Sequence, residues 1–496
     1  MATKSNPPGE RASTGIAGLD QLLQGGLPAH RLHLVEGDPG TGKTTLALQF
    51  LLEGRDRGEP TLYVTLSETS IELRSVAASH GWSLEGIEVF ELSPSGGRAD
   101  EQYTLYHPAE IELSDMIGRM LEVTERVHPS RVVLDSLSEM RLLARDPLRY
   151  RRQILALKEY FSGRSCTVLM LDDLTSAEHD LQLQSIAHAV IRLEQMAPEY
   201  GRSRRRLRLA KVRGVAGTEG YHDLRIRRGG IAVYPQLVPA TTRVMSHDLL
   251  VSGVAEMDAL VGGGLTPGTC TLFLGPAGVG KSTYAAQYLS ANADAIPCAV
   301  YLFDERRGTF LQRGAKLGMD LDRHVASGRV SVDQVEPGEM SPGEFAHQVC
   351  QRVDRDGARI VMIDSLNGYL HAIPTGQSPL VRMHELIAYL NEREVATLLV
   401  SAQHGIMGMS MSSPVDVTYL ADAVVLFRFF EAGGQVRKAI SVVKKRTGGH
   451  EMVIRELVIG PDRIRLGAPL TDFHGVMTGV PVYRGGSEPL LDKREH

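Results

Sequence analysis

The stretch Gly37-Asp38-Pro39-Gly40-Thr41-Gly42-Lys43-Thr44-Thr45 decides how this chain is read. An apolar run, Leu32-His33-Leu34-Val35, precedes it, and Leu46, Ala47, Phe50 and Leu51 follow at helical spacing. Strand, glycine-rich turn and helix in that order fit G-x-x-x-x-G-K-[ST]. Backbone N–H groups of such a loop wrap a phosphate, and the positive end of the helix faces the same anion. Lys43 is then expected to neutralise β- and γ-phosphates, with the Thr44 hydroxyl on Mg²⁺. The pattern predicts a triphosphate site.

The chain contains the pattern twice. Gly275-Pro276-Ala277-Gly278-Val279-Gly280-Lys281-Ser282-Thr283 follows Thr271-Leu272-Phe273-Leu274 and opens a second amphipathic stretch. Upstream, Ser13-Thr14-Gly15-Ile16 with Gly25-Gly26-Leu27 recurs as Ser252-Gly253-Val254 with Gly263-Gly264-Leu265. Lys43 and Lys281, like Gly15 and Gly253, stand 238 positions apart. That is an internal duplication.

Later segments repeat in the same sequence. Leu62-Tyr63-Val64-Thr65-Leu66 matches Val300-Tyr301-Leu302-Phe303, and each leads into acids: Glu68, then Asp304 and Glu305. Val132-Val133-Leu134-Asp135-Ser136 matches Val361-Met362-Ile363-Asp364-Ser365, and Thr167-Val168-Leu169-Met170-Leu171 is paired with Thr397-Leu398-Leu399-Val400. Unbroken apolar runs of this kind suit strands of a parallel sheet covered on both faces. Alternation with helical stretches gives an α/β fold class, two tandem P-loop domains. Boundaries are expected at 1–238 and 239–470, joined around Pro235 to Pro239, with a turn-rich tail over 471–496.

Bulk properties narrow the partners. A length of 496 residues calls for two or more domains, and a formal charge of −5 advertises neither nucleic acid nor a membrane surface. Cys166, Cys270, Cys298 and Cys350 form no C-x-x-C pair, which argues against zinc and disulfide frameworks. The polar start and the lack of a spanning apolar run point to the cytoplasm.

Chemistry is assigned to residues that recur. Asp135 and Asp364, each closing an apolar strand, are expected to hold the Mg²⁺ shell through water. Glu68, Asp304 and Glu305 are the candidate catalytic carboxylates, because attack on a γ-phosphate needs an oriented nucleophile and a place for its proton. Lys211 and Arg213 recur as Lys444 and Arg446, and are expected to meet the γ-phosphate of a neighbouring subunit. The basic run Arg202 to Arg208 is expected in a solvated hairpin or an interface turn, since no interleaved aromatics suit it to stacking on bases.

With both halves in view, residues 12 to 465 resemble the KaiC family of circadian-clock ATPases, in the RecA/DnaB-like branch of P-loop proteins. The cues are Ser13 to Leu27, the two loops, the Asp-Ser pairs, and Lys211-Val212-Arg213-Gly214. The resemblance implies two RecA-like domains, ATP with Mg²⁺, and a two-tier homohexameric ring. It also implies KaiB-like or other signalling partners, slow hydrolysis in the first tier, and Ser/Thr autokinase activity in the second. Alignment on Ala421-Asp422-Ala423-Val424 puts the phosphoacceptor pair on Thr418-Tyr419 where clock proteins have Ser-Thr, so Thr418 is the expected acceptor. The paired glutamates of the family are here Ser67-Glu68 and Asp304-Glu305. A recombinase-type DNA-repair ATPase and a nucleotide-gated scaffold with little turnover are the alternatives.

Overall fold

The computed structural model describes residues 9–92, 108–144, 146–174, 181–198, 201–214, 219–238, 248–336, 338–371, 379–403, 417–477 and 482–483. The chain divides into two compact units, Met1–Gln236 and Leu237–His496. In unit 1 the described sheet strands are β1 (Leu32–Gly37), β2 (Thr61–Thr65), β3 (Glu88–Glu91), β4 (Arg131–Asp135), β5 (Thr167–Asp173), β6 (Ala189–Met196), β7 (Arg204–Val212), β8 (His222–Arg227) and β9 (Gly230–Tyr234). They lie side by side as β3-β2-β4-β5-β1-β6-β7-β8-β9. Unit 2 has β10 (Cys270–Gly275), β11 (Cys298–Leu302), β12 (Val330–Gln334), β13 (Ile360–Asp364), β14 (Ala396–Ala402), β15 (Ala423–Ala432), β16 (Gln435–Lys445), β17 (Arg455–Ile459) and β18 (Ile464–Pro469). Their order, β12-β11-β13-β14-β10-β15-β16-β17-β18, repeats that of unit 1 strand for strand.

Each sheet has two regimes, and the sequence pattern says why. From β3 across to β6 all pairings are parallel. Here Leu34, Val132, Val168 and Val190 fill one face while Val35, Val133, Leu169 and Ile191 fill the other. Burial on both faces requires the unbroken apolar runs. From β6 to β9 pairing is antiparallel, and one face turns polar. Thus Leu207 is buried in the core, whereas Arg206 pairs with Glu194 at 2.7 Å and stacks on Tyr221. The run 204–208 is therefore strand, not turn, and Gly201 and Arg202 bend before it. The run thus lies on one arm of an antiparallel hairpin with β6 rather than in an interface turn, and alternation, not charge density, sets which of its side chains face the core.

The repeated Ser-Thr-Gly motif is a scaffold for the first helical turn. Asp20 accepts from the Thr14 backbone N–H and hydroxyl, both at 2.8 Å, and Asp258 accepts from Ser252 N at 2.7 Å. In the tail, Phe473–His474 pairs with Val482–Tyr483, and Phe473 packs on Phe430. Residues 478–481 and 484–496 of the tail lie outside the described residues.

Two of the sequence pairings slip by one residue. Thr65 pairs with Asp135 and Leu302 with Asp364, so Tyr63 corresponds to Val300 rather than to Tyr301. Likewise Arg131 pairs with Thr167 and Ile360 with Ala396, so Thr167 corresponds to Ala396, not Thr397. A one-residue slip moves a side chain to the other face of the sheet. Tyr63 accordingly packs with the core beneath the loop helix, while Tyr301 sits in the opposite layer against Phe345.

Candidate nucleotide sites at the carboxyl ends of the strands

The loop of unit 1 links β1 to helix α1 (Lys43–Asp56), and the loop of unit 2 links β10 to helix α2 (Lys281–Asn292). Gly42 and Gly280 take φ of 106° and 110° at the N-caps, a left-handed backbone that favours glycine. A Cβ there would meet Ile226 Cδ1 at 2.6 Å or Ile459 Cδ1 at 2.3 Å. At the strand ends, Gly37 and Gly275 lie so close to the next strand that a Cβ would stand 2.6 Å from the Leu193 carbonyl oxygen or 2.5 Å from that of Phe427. The glycines of the pattern are thus fixed by close approach in both units.

Both loop lysines are buried and fold back over their loops. Lys43 Nζ donates to the carbonyls of Gly37 (2.8 Å) and Asp38 (3.1 Å), and Lys281 Nζ to that of Pro276 (2.7 Å). Their further company differs. Lys43 forms an ion pair with Asp173 at 2.6 Å. Gly37 registers with Asp173 but Gly275 with Ala402, so unit 2 offers no carboxylate at that point. Burial pushes Lys281 down to about 8, with Asp364 pulling it part of the way back.

The candidate metal carboxylates are buried beside the loop hydroxyls. Thr44 Oγ1 lies 3.4 Å from Asp135 Oδ2, and the Tyr63 hydroxyl donates to the same oxygen. Burial raises Asp135, while the Tyr63 hydrogen bond lowers it. In unit 2 burial pushes Asp364 up to about 6, against the lowering effect of the Ser282 hydroxyl, and its Oδ2 is buried with no hydrogen-bond partner among the described residues. Hard oxygen donors at a phosphate loop, one of them unsatisfied, fit a divalent cation. The Asp135–Ser136 and Asp364–Ser365 peptides are both cis.

Among the catalytic candidates, Glu68 is half-buried, and its Oε2 makes no hydrogen bond among the described residues. Burial raises it, and Asp135, Glu72 and Asp173 add to the rise. Glu305, its counterpart, is held by Arg313 through two contacts of 2.5 and 2.9 Å. Asp304 is exposed and accepts from the Ser365 hydroxyl. Nothing in the sequence pattern singles out Tyr63, Asp173 or Arg313. Only the register of the strands and the helical turn after β11 bring them in.

Lys211, Arg213, Lys444, Arg446 and Thr418 lie elsewhere. His33 pairs with Ala189, which pairs with Val212, while Thr271 pairs with Ala423, which pairs with Lys445. These are the amino ends of β1 and β10, about four residues, or ~13 Å, from the loops. Lys211 Nζ donates to the carbonyls of Gln184 (2.6 Å) and Ala187 (2.9 Å), and Arg213 to that of Ser185 (2.8 Å). Lys444 Nζ donates to the carbonyls of Thr418 and Ala421, each at 2.8 Å, and Arg446 faces Asp422 at 3.6 Å.

A parallel sheet with a glycine-rich loop, a buried lysine and a strand-ending aspartate at its carboxyl edge, present twice, defines a pair of tandem RecA-like P-loop domains. The family described as "ATPase: KaiC" matches residues 12–238 and 250–470, and the chain belongs to it. It is 26% identical over 491 residues to "Circadian clock protein KaiC3" of Synechocystis sp., covering 97% of this chain and 96% of the relative. It is 24% identical over 506 residues to "Circadian clock oscillator protein KaiC" of Prochlorococcus marinus, covering 98% and 99%. The protein of the same name from Synechococcus elongatus is 25% identical over 485 residues, covering 94% and 91%. No helix among the described residues is long and apolar enough to cross a membrane.

Proposed function

We propose that both loops bind Mg·ATP and that unit 1 is the principal site of hydrolysis. The observation that carries this reading is the unpartnered Glu68 carboxylate, raised by burial beside Asp135 and Asp173. A carboxylate without a donor accepts a proton from attacking water more readily than one locked in an ion pair. Residues 37–45 and 275–283 would cradle the phosphates, Lys43 and Lys281 exchanging loop carbonyls for phosphate oxygens. Thr44 with Asp135, and Ser282 with Asp364, would hold Mg²⁺, which supplies charge neutralisation at the β- and γ-oxygens when bound. Asp304 and Glu305 would serve the second site.

Assembly follows from the position of the four cations. Lys211, Arg213, Lys444 and Arg446 lie at the wrong edge of each sheet for their own loop, so any phosphate they contact belongs to another copy. That supports a homo-oligomeric ring, with six copies expected from the family. Thr418 stands at the same edge, so phosphoryl transfer to it would come from a neighbour's unit 2. A cytoplasmic clock-type or signalling regulator that phosphorylates itself, read by KaiB-like or other partner proteins, is the resulting proposal. Incubation with γ-labelled ATP, followed by sizing, phosphate-release measurement and phosphosite mapping, tests it. Hydrolysis confined to a monomer, or no label on Thr418 after prolonged incubation, removes the corresponding part.

A further inference from the structure

Two hydroxyls beside the unit 1 loop have no part in hydrolysis as proposed above. Ser136 follows Asp135, and Ser138 lies in the first turn of the helix Leu137–Ala144. Their hydroxyls share a hydrogen bond, and Ser138 Oγ donates to Asp173 Oδ2 at 3.4 Å. The other oxygen of that carboxylate, Oδ1, holds Lys43 Nζ at 2.6 Å. Two hydroxyls, a carboxylate and the loop lysine therefore form one continuous chain. Separate elements bring its members together: Asp173 ends β5, Ser136 follows β4, which pairs with β5, and Lys43 opens α1.

Unit 2 builds the same corner without this chemistry. Counted from the strand-ending aspartates, Ser138 corresponds to Asn367, and by register Asp173 corresponds to Ala402. Asn367 ties its helix to the sheet: Oδ1 accepts from Ala402 N (2.8 Å) and Ser401 Oγ (3.0 Å), and Nδ2 donates to the Ala402 carbonyl (3.1 Å). An amide satisfies the fold there, so the hydroxyl and carboxylate of unit 1 are not needed to close it.

We propose that Ser138 is a phosphoacceptor for the nucleotide bound on its own loop, with Asp173 as its base. This rests on the reading that unit 1 binds Mg·ATP. A γ-phosphate that meets Lys43 displaces the Asp173 carboxylate from the ammonium and comes to lie beside it, where the Ser138 hydroxyl is already hydrogen-bonded. Ser138 Oγ attacks the γ-phosphorus while the bond from that phosphorus to the β,γ-bridging oxygen breaks. ADP leaves with the electron pair, and the hydroxyl proton passes to Asp173. Water activated by Glu68 competes for the same phosphorus. The product carries about two negative charges into the place of the γ-phosphate, so unit 1 stalls after one transfer. Transfer within a single unit sets this site apart from Thr418, whose phosphate would come from a neighbour.

The test uses full-length protein carrying Lys281→Ala, so that only unit 1 holds nucleotide, incubated with γ-labelled Mg·ATP. Filter binding measures the nucleotide retained, and mass spectrometry maps the label. Label on Ser138 is expected, and Asp173→Asn is expected to slow its appearance per retained nucleotide about 100-fold, the ordinary share of a general base. Ser138→Thr keeps a hydroxyl and is expected to carry the label as phosphothreonine. Ser138→Asn, which takes the residue of unit 2, is expected to carry none at that position. Mixing Lys43→Ala copies that keep Ser138 with Ser138→Asn copies that keep Lys43, all in the Lys281→Ala background, is expected to label neither at position 138. Retained nucleotide without label on Ser138 overturns the acceptor and leaves the nucleotide reading standing. Failure to retain nucleotide overturns both. Labelling indifferent to Asp173→Asn overturns its role as the base, and label on Ser138 in the mixture overturns transfer within the unit.

Discussion

In unit 1 the loop lysine is held by a carboxylate and the candidate base is bare. In unit 2 the lysine has no such carboxylate and the base is locked by an arginine. Lys43 faces Asp173 while Glu68 keeps an unpartnered oxygen; Ala402 stands in the register position of Asp173 in unit 2, where Glu305 is bound to Arg313. The loops themselves are near copies. Divergence between the sites has come through the strands and helices around them, and that is where mutation can exchange their properties.

The largest expected effect is on hydrolysis. In a Lys281→Ala background, Glu68→Gln is expected to slow phosphate release by about 100-fold or more, the ordinary contribution of a general base. In a Lys43→Ala background, Glu305→Gln is expected to cost less, and Arg313→Leu to raise turnover by freeing the carboxylate. Equal losses in single-turnover assays of the two backgrounds would erase the distinction between the sites.

A smaller effect is expected at the metal carboxylate. Tyr63→Phe removes only the hydroxyl that orients Asp135, and should weaken Mn²⁺ binding at unit 1 by about tenfold, read by electron paramagnetic resonance. Val300→Ala, its counterpart, should leave Mn²⁺ affinity at unit 2 unaltered.

The acid limb of the pH profile sharpens the comparison at unit 2. Asp364, raised to about 6, must lose its proton to face a cation, so divalent affinity there should fall up to tenfold for each pH unit below about 6. The sign for stability is opposite. A carboxyl raised on folding stabilises the protein at low pH, and that contribution is lost as pH rises through about 6. Asp364→Asn should therefore melt above the parent at pH 7 to 8, with the gap closing near pH 4 in scanning calorimetry. Lys281, lowered to about 8, should take up protons when nucleotide binds above that pH, visible as buffer-dependent heat.

The smallest effect is on the lysine itself. Asp173→Ala gives unit 1 the environment of unit 2, and releasing a partly exposed ion pair should tighten nucleotide binding only about fivefold. A loss of affinity would mean that Asp173 positions the lysine rather than competing for it.

Much of this was legible before the fold was known. Glycines that need close approach, lysines within them and aspartates at strand ends are local features, and the loops repeat at one spacing. What failed depended on register. An alignment by identity sets Tyr63 against Tyr301 and Thr167 against Thr397. The connection before Tyr63 is one residue longer than its counterpart, whereas Asp135 to Thr167 and Asp364 to Ala396 span the same 32 positions, so the hydrogen-bonded partner, not the side chain, defines equivalence. Asp173 carries no local signal because its tie to Lys43 depends on strand register, and Arg313 carries none because its tie to Glu305 forms only across the following helical turn. The density of arginines in β7 masks its alternation, in which Leu207 turns into the core and the arginines beside it are half-buried.

Each change of spacing between the two halves falls in a connection and none inside a paired strand of the parallel core. Thr61 to Glu68 and Cys298 to Glu305 are segments of equal length, each carrying a central strand and its acid. They can be exchanged as cassettes without altering any loop. A chimaera built that way would transplant the tyrosine, but its glutamate would meet Arg313 again, so the second engine would speak with the accent of the first only if that arginine were removed as well.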